Sequence, residues 1–142
     1  MRSNPKILKS RATIRLKKMK KSLLFSVFTF ITILSFGQVI SDVTQSGSGR
    51  LTVRDEKNNE IASKYISSDD ELSGFSSSII VVTSSNRRVS VYDQKFNEIS
   101  SKYISGGERV KNVTGNNIII KYETGRVVTY DKRFNEISHR YE

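Results

Sequence analysis

One segment of this 142-residue chain is written three times. Arg50-Leu-Thr-Val-Arg-Asp55 returns as Arg88-Val-Ser-Val-Tyr-Asp93 and as Arg126-Val-Val-Thr-Tyr-Asp131. Asn59-Glu60-Ile61 returns as Asn97-Glu98-Ile99 and Asn135-Glu136-Ile137, and Lys64-Tyr65 as Lys102-Tyr103 and Arg140-Tyr141. The step is 38 residues each time, with no insertion. A tandem period of this length means that each copy is one supersecondary unit, which buries its apolar face on its neighbours. The first copy departs most, with Arg54 where the others have Tyr and Asn58 where they have Phe. Terminal units of an array are commonly atypical because one side has no neighbour.

Within the period the residues read as strands. Ile79-Ile-Val-Val-Thr83 and Ile118-Ile-Ile-Lys-Tyr122 are short β-branched runs. A turn follows each, and then an alternating stretch such as Arg88–Tyr92, with Val89 and Val91 on one face. Glu98–Ile104 predicts a further strand and Glu108–Val113 a weaker fourth. The leading segment Val39–Thr44 is a candidate strand that completes the first or last unit. Past Gln38, Ser, Thr, Asn, Gly and β-branched residues dominate and no 3.6-residue period survives, so helix is not expected. The expected fold is all-β: three tandem antiparallel β-meander units, over about 40–85, 86–124 and 125–142.

The string Val-x-Val-Tyr-Asp, then a turn and an outward strand, resembles the blades of bacterial six-bladed β-propeller families. The resemblance covers about residues 40–142 and brings no catalytic residue with it. It implies four-stranded blades around an axis, and three units are fewer than such a ring needs. Three arrangements answer that shortfall. The units stack as an open array, or two chains join three blades to three, or the units close on a threefold axis as in a β-trefoil. Open sheet edges invite pairing with another chain, so self-association is expected of an open array.

The overall charge is +10, yet nine of the 24 Lys and Arg residues lie in the first 21 positions, where there is no Asp or Glu. From Gln38 on there are 15 basic and 14 acidic residues, a balance without a field for phosphate, so nucleic acid is not an expected partner. From Met19 the chain reads as a secretory leader: Lys20 and Lys21, an apolar run Ser22–Phe36, then Ser35 and Gly37 at the −3 and −1 positions of a cut before Gln38. Residues 1–18 are read as the product of a misplaced start or as an extended basic n-region. Residues 38–142 are thus expected outside the cytoplasm, in the periplasm or released. An uncleaved 22–36 anchor in the inner membrane is the alternative. The chain has no cysteine, which removes disulfides and thiolate chemistry.

The recurring polar residues each have two readings. Asp55, Asp93 and Asp131, with Asn59, Asn97 and Asn135, are expected to close turns through side-chain bonds to backbone amides. The same Asp residues with Glu60, Glu98 and Glu136 are the groups that an envelope-associated hydrolase would use. A group needed once in an active site has no reason to recur in every unit, so the structural reading leads. Glu98 and Lys102, four apart on a strand, are expected to share a face and form an ion pair, as are Glu60 with Lys64 and Glu136 with Arg140. Tyr65, Tyr103 and Tyr141 form a repeated aromatic column, read either as platforms for sugar rings or as packing between units. Phe96 and Phe134 are expected to cap the ends of their units. His139, the only histidine, replaces Ser63 and Ser101 and is expected at the surface. No cofactor motif and no metal-ligand spacing is present. The function expected is that of an exported, non-catalytic binding or structural β-repeat module. Its partner would be an envelope protein, a polysaccharide or a copy of itself.

Overall fold

The computed structural model describes residues 39–142, and the expected leader lies outside them. The described residues form eleven strands and no helix. β1 (Asp42–Gln45), β2 (Arg50–Arg54) and β3 (Glu60–Tyr65) make a three-stranded sheet. β4 (Glu71–Phe75), β5 (Ile80–Thr83), β6 (Arg88–Tyr92) and β7 (Glu98–Tyr103) make a four-stranded one. β8 (Arg109–Thr114), β9 (Asn117–Lys121), β10 (Arg126–Asp131) and β11 (Glu136–Tyr141) make the third. In each sheet, strands consecutive in sequence pair antiparallel, because the short connections between them reach only a neighbour. The sheets are propeller-blade-like meanders. They span 42–65, 71–103 and 109–141, whereas the period had been divided at 85 and 124. A tandem repeat sets the length of a unit and leaves its starting point open. Glu108–Val113, expected as the last strand of one unit, pairs as the first strand of the next sheet.

The β-branched runs are continuous because the middle sheet is covered on both sides. Ile80, Val82 and Tyr92 pack with Val43, Leu51 and Val53 of the first sheet. Their neighbours along the strands, Val81, Val89 and Val91, pack with Ile118, Ile120, Val128 and Tyr130 of the third. Successive side chains on a strand point to opposite faces, so one short run supplies two cores. Each fully buried Val or Ile of these clusters contributes roughly 1.5–3 kcal/mol. The two clusters join sheet one to two and two to three. Neither joins the first sheet to the third, so the threefold closure of a β-trefoil is not the arrangement formed.

β4 and β8 approach each other where the second and third sheets meet. A side chain on Gly74 would place its Cβ 2.9 Å from Cγ2 of Val113, so glycine is required there. Gln45 links the first two sheets: its amide donates to the carbonyl of Asp70 at 3.2 Å and accepts from the Leu72 N–H at 3.1 Å.

The turns repeat with the strands. Gly49, Arg87 and Gly125 stand 38 apart and all have positive φ, of 78°, 64° and 80°. Each carbonyl accepts from the chain leaving the sheet: Gly49 from Ile66, Arg87 from Ile104 and Gly125 from Glu142. A Cβ on Gly49 would stand 2.7 Å from the Ile66 carbonyl oxygen. The left-handed conformation costs a non-glycine residue roughly 1–2 kcal/mol. Gly49→Ala is therefore expected to destabilise the fold by about 1–2 kcal/mol. Arg87→Gly, which relieves the same strain, is expected to raise stability by about 0.5 kcal/mol once glycine's own chain entropy is counted. Urea midpoints of the two variants moving in opposite directions is the expected result.

Candidate functional site

The recurring Asp residues close the β2–β3, β6–β7 and β10–β11 hairpins. Asp93 Oδ1 accepts from the N–H groups of Lys95 and Asn97 at 2.8 and 2.9 Å, and Oδ2 accepts from Asn97 Nδ2 at 2.8 Å. The same bonds recur at Asp55 with Lys57 and Asn59, and at Asp131 with Arg133 and Asn135. The residue before each Asn has positive φ, namely Asn58, Phe96 and Phe134. Asparagine tolerates that conformation and phenylalanine seldom adopts it. Phe96 and Phe134 hold it while meeting Tyr92 and Tyr130 edge to face, with centroids 6.2 and 6.0 Å apart. In the first sheet the aromatic pair is replaced by a polar one, Arg54 Nη1 donating to Asn58 Oδ1 at 3.0 Å.

The expected pairing of Glu98 with Lys102 does not form. A bulge between Val91 and Tyr92 leaves Tyr92 opposite Glu98 and Val91 opposite Ser100. The extra residue inverts the alternation, so Glu98 and Lys102 lie on opposite faces. Glu98 instead takes Arg88, which also donates to Ser101 at 2.9 Å. Equivalent shifts in the other two sheets give Arg50 with Glu60 and Ser63, and Arg126 with Glu136. His139 takes the serine position, its Nδ1 2.8 Å from Glu136 Oε1. These partly exposed ion pairs contribute about 0–1 kcal/mol each. The freed lysines cross to the next sheet. Lys64 Nζ lies 4.1 Å from the Tyr92 ring centroid and Lys102 Nζ 4.3 Å from that of Tyr130, to whose hydroxyl it also donates at 3.1 Å.

Tyr65, Tyr103 and Tyr141 end the outermost strands of their sheets. They are 70%, 67% and 70% exposed. The reading in which these rings pack between units therefore does not describe them. Each stands opposite an arginine of the adjacent strand, Arg50, Arg88 or Arg126. The rim of the stack thus repeats an exposed phenol beside an Arg–Glu pair, one set per sheet. A second feature escaped the sequence reading: an open cleft of about 310 Å³ where β4 and β8 meet, lined by Glu71, Ser73 and Thr83 and by Ile104, Glu108, Arg109 and Val110. Apart from Glu71 and Arg109, which stand 38 apart but differ in charge, its residues come from unlike positions in the period, so no repeated motif announced it. Among the described residues, no group of three His, Cys, Asp or Glu side chains is placed to hold a metal ion.

No family model and no curated protein matches the chain. Solved structures do match in shape. A protein of unknown function from Bacteroides caccae gives a TM-score of 0.52 at 9% identity, over 72% of this chain and 40% of that one. BBS1N, solved in complex with ARL6DN, gives 0.50 at 16% identity, over 70% and 35%. The β-propeller domain of Cps50 (Swd1) from Myceliophteria thermophila matches at 0.42 and 10% identity, over 75% and 40%. The chain thus spans about two fifths or less of the structures it matches. At these identities the likeness concerns the fold alone.

Hydrogen bonds from Asn59 and Asn135, with those from the adjacent backbone, hold the Asp55 and Asp131 carboxyls below their ordinary value. Partial burial pushes Asp93 up, but the bonds from Asn97 and Lys95 outweigh it, and its carboxyl too is lowered. A carboxyl with a depressed folded pKa stabilises the protein above its unfolded value, about 3.9, and that contribution disappears as pH falls through the folded value. Stability is thus expected to fall on acidification below about pH 4. Asp93→Asn is expected to lower stability at pH 7 and to flatten this acid limb, as read from urea midpoints between pH 7 and 2.

Proposed function

We propose that this protein is an exported, non-catalytic binding module that holds an envelope polysaccharide along its tyrosine rim. The observation that supports this most is the exposure of Tyr65, Tyr103 and Tyr141 at equivalent positions of three successive sheets. A phenol ring offers a flat apolar platform with a polar edge, which suits the face of a sugar ring. A row of them at a repeated position suits a polymer of repeated units. Arg50, Arg88 and Arg126, with Glu60, Glu98 and Glu136 beside them, supply donors and acceptors for hydroxyl groups. The Asp and Glu groups of the alternative hydrolase are engaged in turns and ion pairs, which favours binding over turnover. Export rests on the leader pattern of residues 19–37, and the near-neutral body accords with a partner other than nucleic acid.

The test is co-sedimentation of the protein, expressed with its leader, with insoluble cell-wall polysaccharide. Each single Tyr→Ala change is expected to weaken binding about three- to tenfold, a loss of about 0.7–1.4 kcal/mol. The triple change is expected to abolish binding while the β circular-dichroism signal is kept. A triple variant that sediments like the parent would sink the proposal. Recovery of the signal peptide on the purified protein by mass spectrometry would count against release by cleavage before Gln38.

A further inference from the structure

The seam between the first and second sheets and the seam between the second and third use equivalent positions, 38 residues apart, but are closed differently. At the first, Gln45 reaches from β1 to the start of β4. Its amide donates to the Asp70 carbonyl at 3.2 Å and accepts from the Leu72 N–H at 3.1 Å. A primary amide can do this because it carries donor and acceptor side by side. At the second seam the repeat puts Thr83 in place of Gln45, and Glu108 and Val110 in place of Asp70 and Leu72. The registers correspond, with Leu72 opposite Val82 and Val110 opposite Ile120. The Val110 N–H and the Glu108 carbonyl therefore face away from the β8–β9 ladder, as their counterparts face away from the β4–β5 ladder. Thr83 is too short to bridge them, and its hydroxyl is bonded to that of Ser73 at 2.5 Å. Among the described residues no side chain takes the part of Gln45 here. The space left is the cleft of about 310 Å³, which Thr83, Glu108 and Val110 all line.

We infer that this cleft binds a neutral primary carboxamide, whose amide occupies the place that the Gln45 side chain fills at the first seam. One of its N–H groups donates to the Glu108 carbonyl, and its oxygen accepts from the Val110 N–H. The paired hydroxyls of Ser73 and Thr83 keep lone pairs for the second amide hydrogen. Ile104 and Val110 supply an apolar wall for the body of the ligand, and the volume is at the small end of the range for small-molecule sites. Charge selects against the corresponding acid, because two carboxylates, Glu71 and Glu108, line the cleft with one guanidinium, Arg109. An ammonium ion offers no acceptor to the Val110 N–H. A site built to bond both halves of an amide rejects an analogue that leaves one backbone group unpaired. The amide comes either from a free compound or from a glutaminyl side chain of a peptide, and the chemistry at the cleft is the same. β4 and β8 lie at the opposite edges of their sheets from Tyr103 and Tyr141, so the inference does not depend on what the tyrosine rim holds.

The test is amide NMR of the nitrogen-labelled protein, titrated with benzamide and with the peptide Ala-Gln-Ala. At least one of them is expected to move the Val110 N–H resonance with a Kd in the millimolar range. Benzamide alone assigns the site to free carboxamides, Ala-Gln-Ala alone to glutaminyl peptides, and either result supports the inference. Benzoate and Ala-Glu-Ala are expected to bind at least tenfold more weakly. Thr83→Gln, which restores the bridge of the first seam from within the chain, is expected to abolish binding of both amides. Should that variant lose its β circular-dichroism signal, Val110→Pro replaces it. It removes the outward N–H of an edge strand, where proline is tolerated, and is expected to weaken binding at least tenfold, followed at the Ser73 N–H. The inference is overturned if neither amide moves the Val110 resonance by about 50 mM, if the acids bind as tightly as the amides, or if the folded variant binds like the parent.

Discussion

The middle sheet has no face left for water, and the stack depends on this. Ile80, Val81 and Val82 are consecutive and all buried, alternately serving the first and third sheets. A lone four-stranded meander of this size could bury one side at most, and isolated hairpins are marginal in water. Stacking turns each exposed face into a core and makes the units mutually dependent. Polar groups follow the same logic. The lysines lie across the seams, and their charge meets tyrosine rings rather than bulk solvent.

The ends of the stack are where the repeat is allowed to vary. Substitution of Tyr by Arg54 and Phe by Asn58 replaces an aromatic contact with a hydrogen bond in the first unit. The third unit keeps Ile119, Val127 and Ile137, has Thr129 where the others have Val53 and Val91, and differs at its margin, where Glu142 gathers cations. Hydrogen bonds from Lys111 and Arg140 hold the Glu142 carboxyl down at about 2, so that cluster persists through mild acid. The two ends are chemically unlike, which gives the array a direction.

Much of this was visible before any fold was known. The Asp-x-x-x-Asn hairpins follow from side chains that bond their own backbone, a local matter. The strand character of Ile79–Thr83 and Ile118–Tyr122 follows from β-branching. β4 was missed because Glu71-Leu-Ser-Gly-Phe75 contains a glycine and lacks β-branched residues. Its glycine is there for the approach to Val113, a contact 39 residues away. The Glu–Lys pairs were misassigned because a bulge shifts the parity of a strand, and nothing in Glu98–Tyr103 marks the extra residue. The tyrosine column was recognised as recurring, but whether it faced solvent depended on the position of the third and seventh strands at the outer edge of their sheets.

By itself the sequence determined the period, the all-β character, the turn chemistry and the residues that break the pattern at the first unit. These are set within one period, where propensity and short-range hydrogen bonding decide. Tertiary structure decided where a unit begins, which face of each strand meets which neighbour, and which recurring side chains are left in the open. Those choices rest on contacts between sheets, and a repeated sequence is silent about them because every copy carries the same residues whether or not a neighbour covers them.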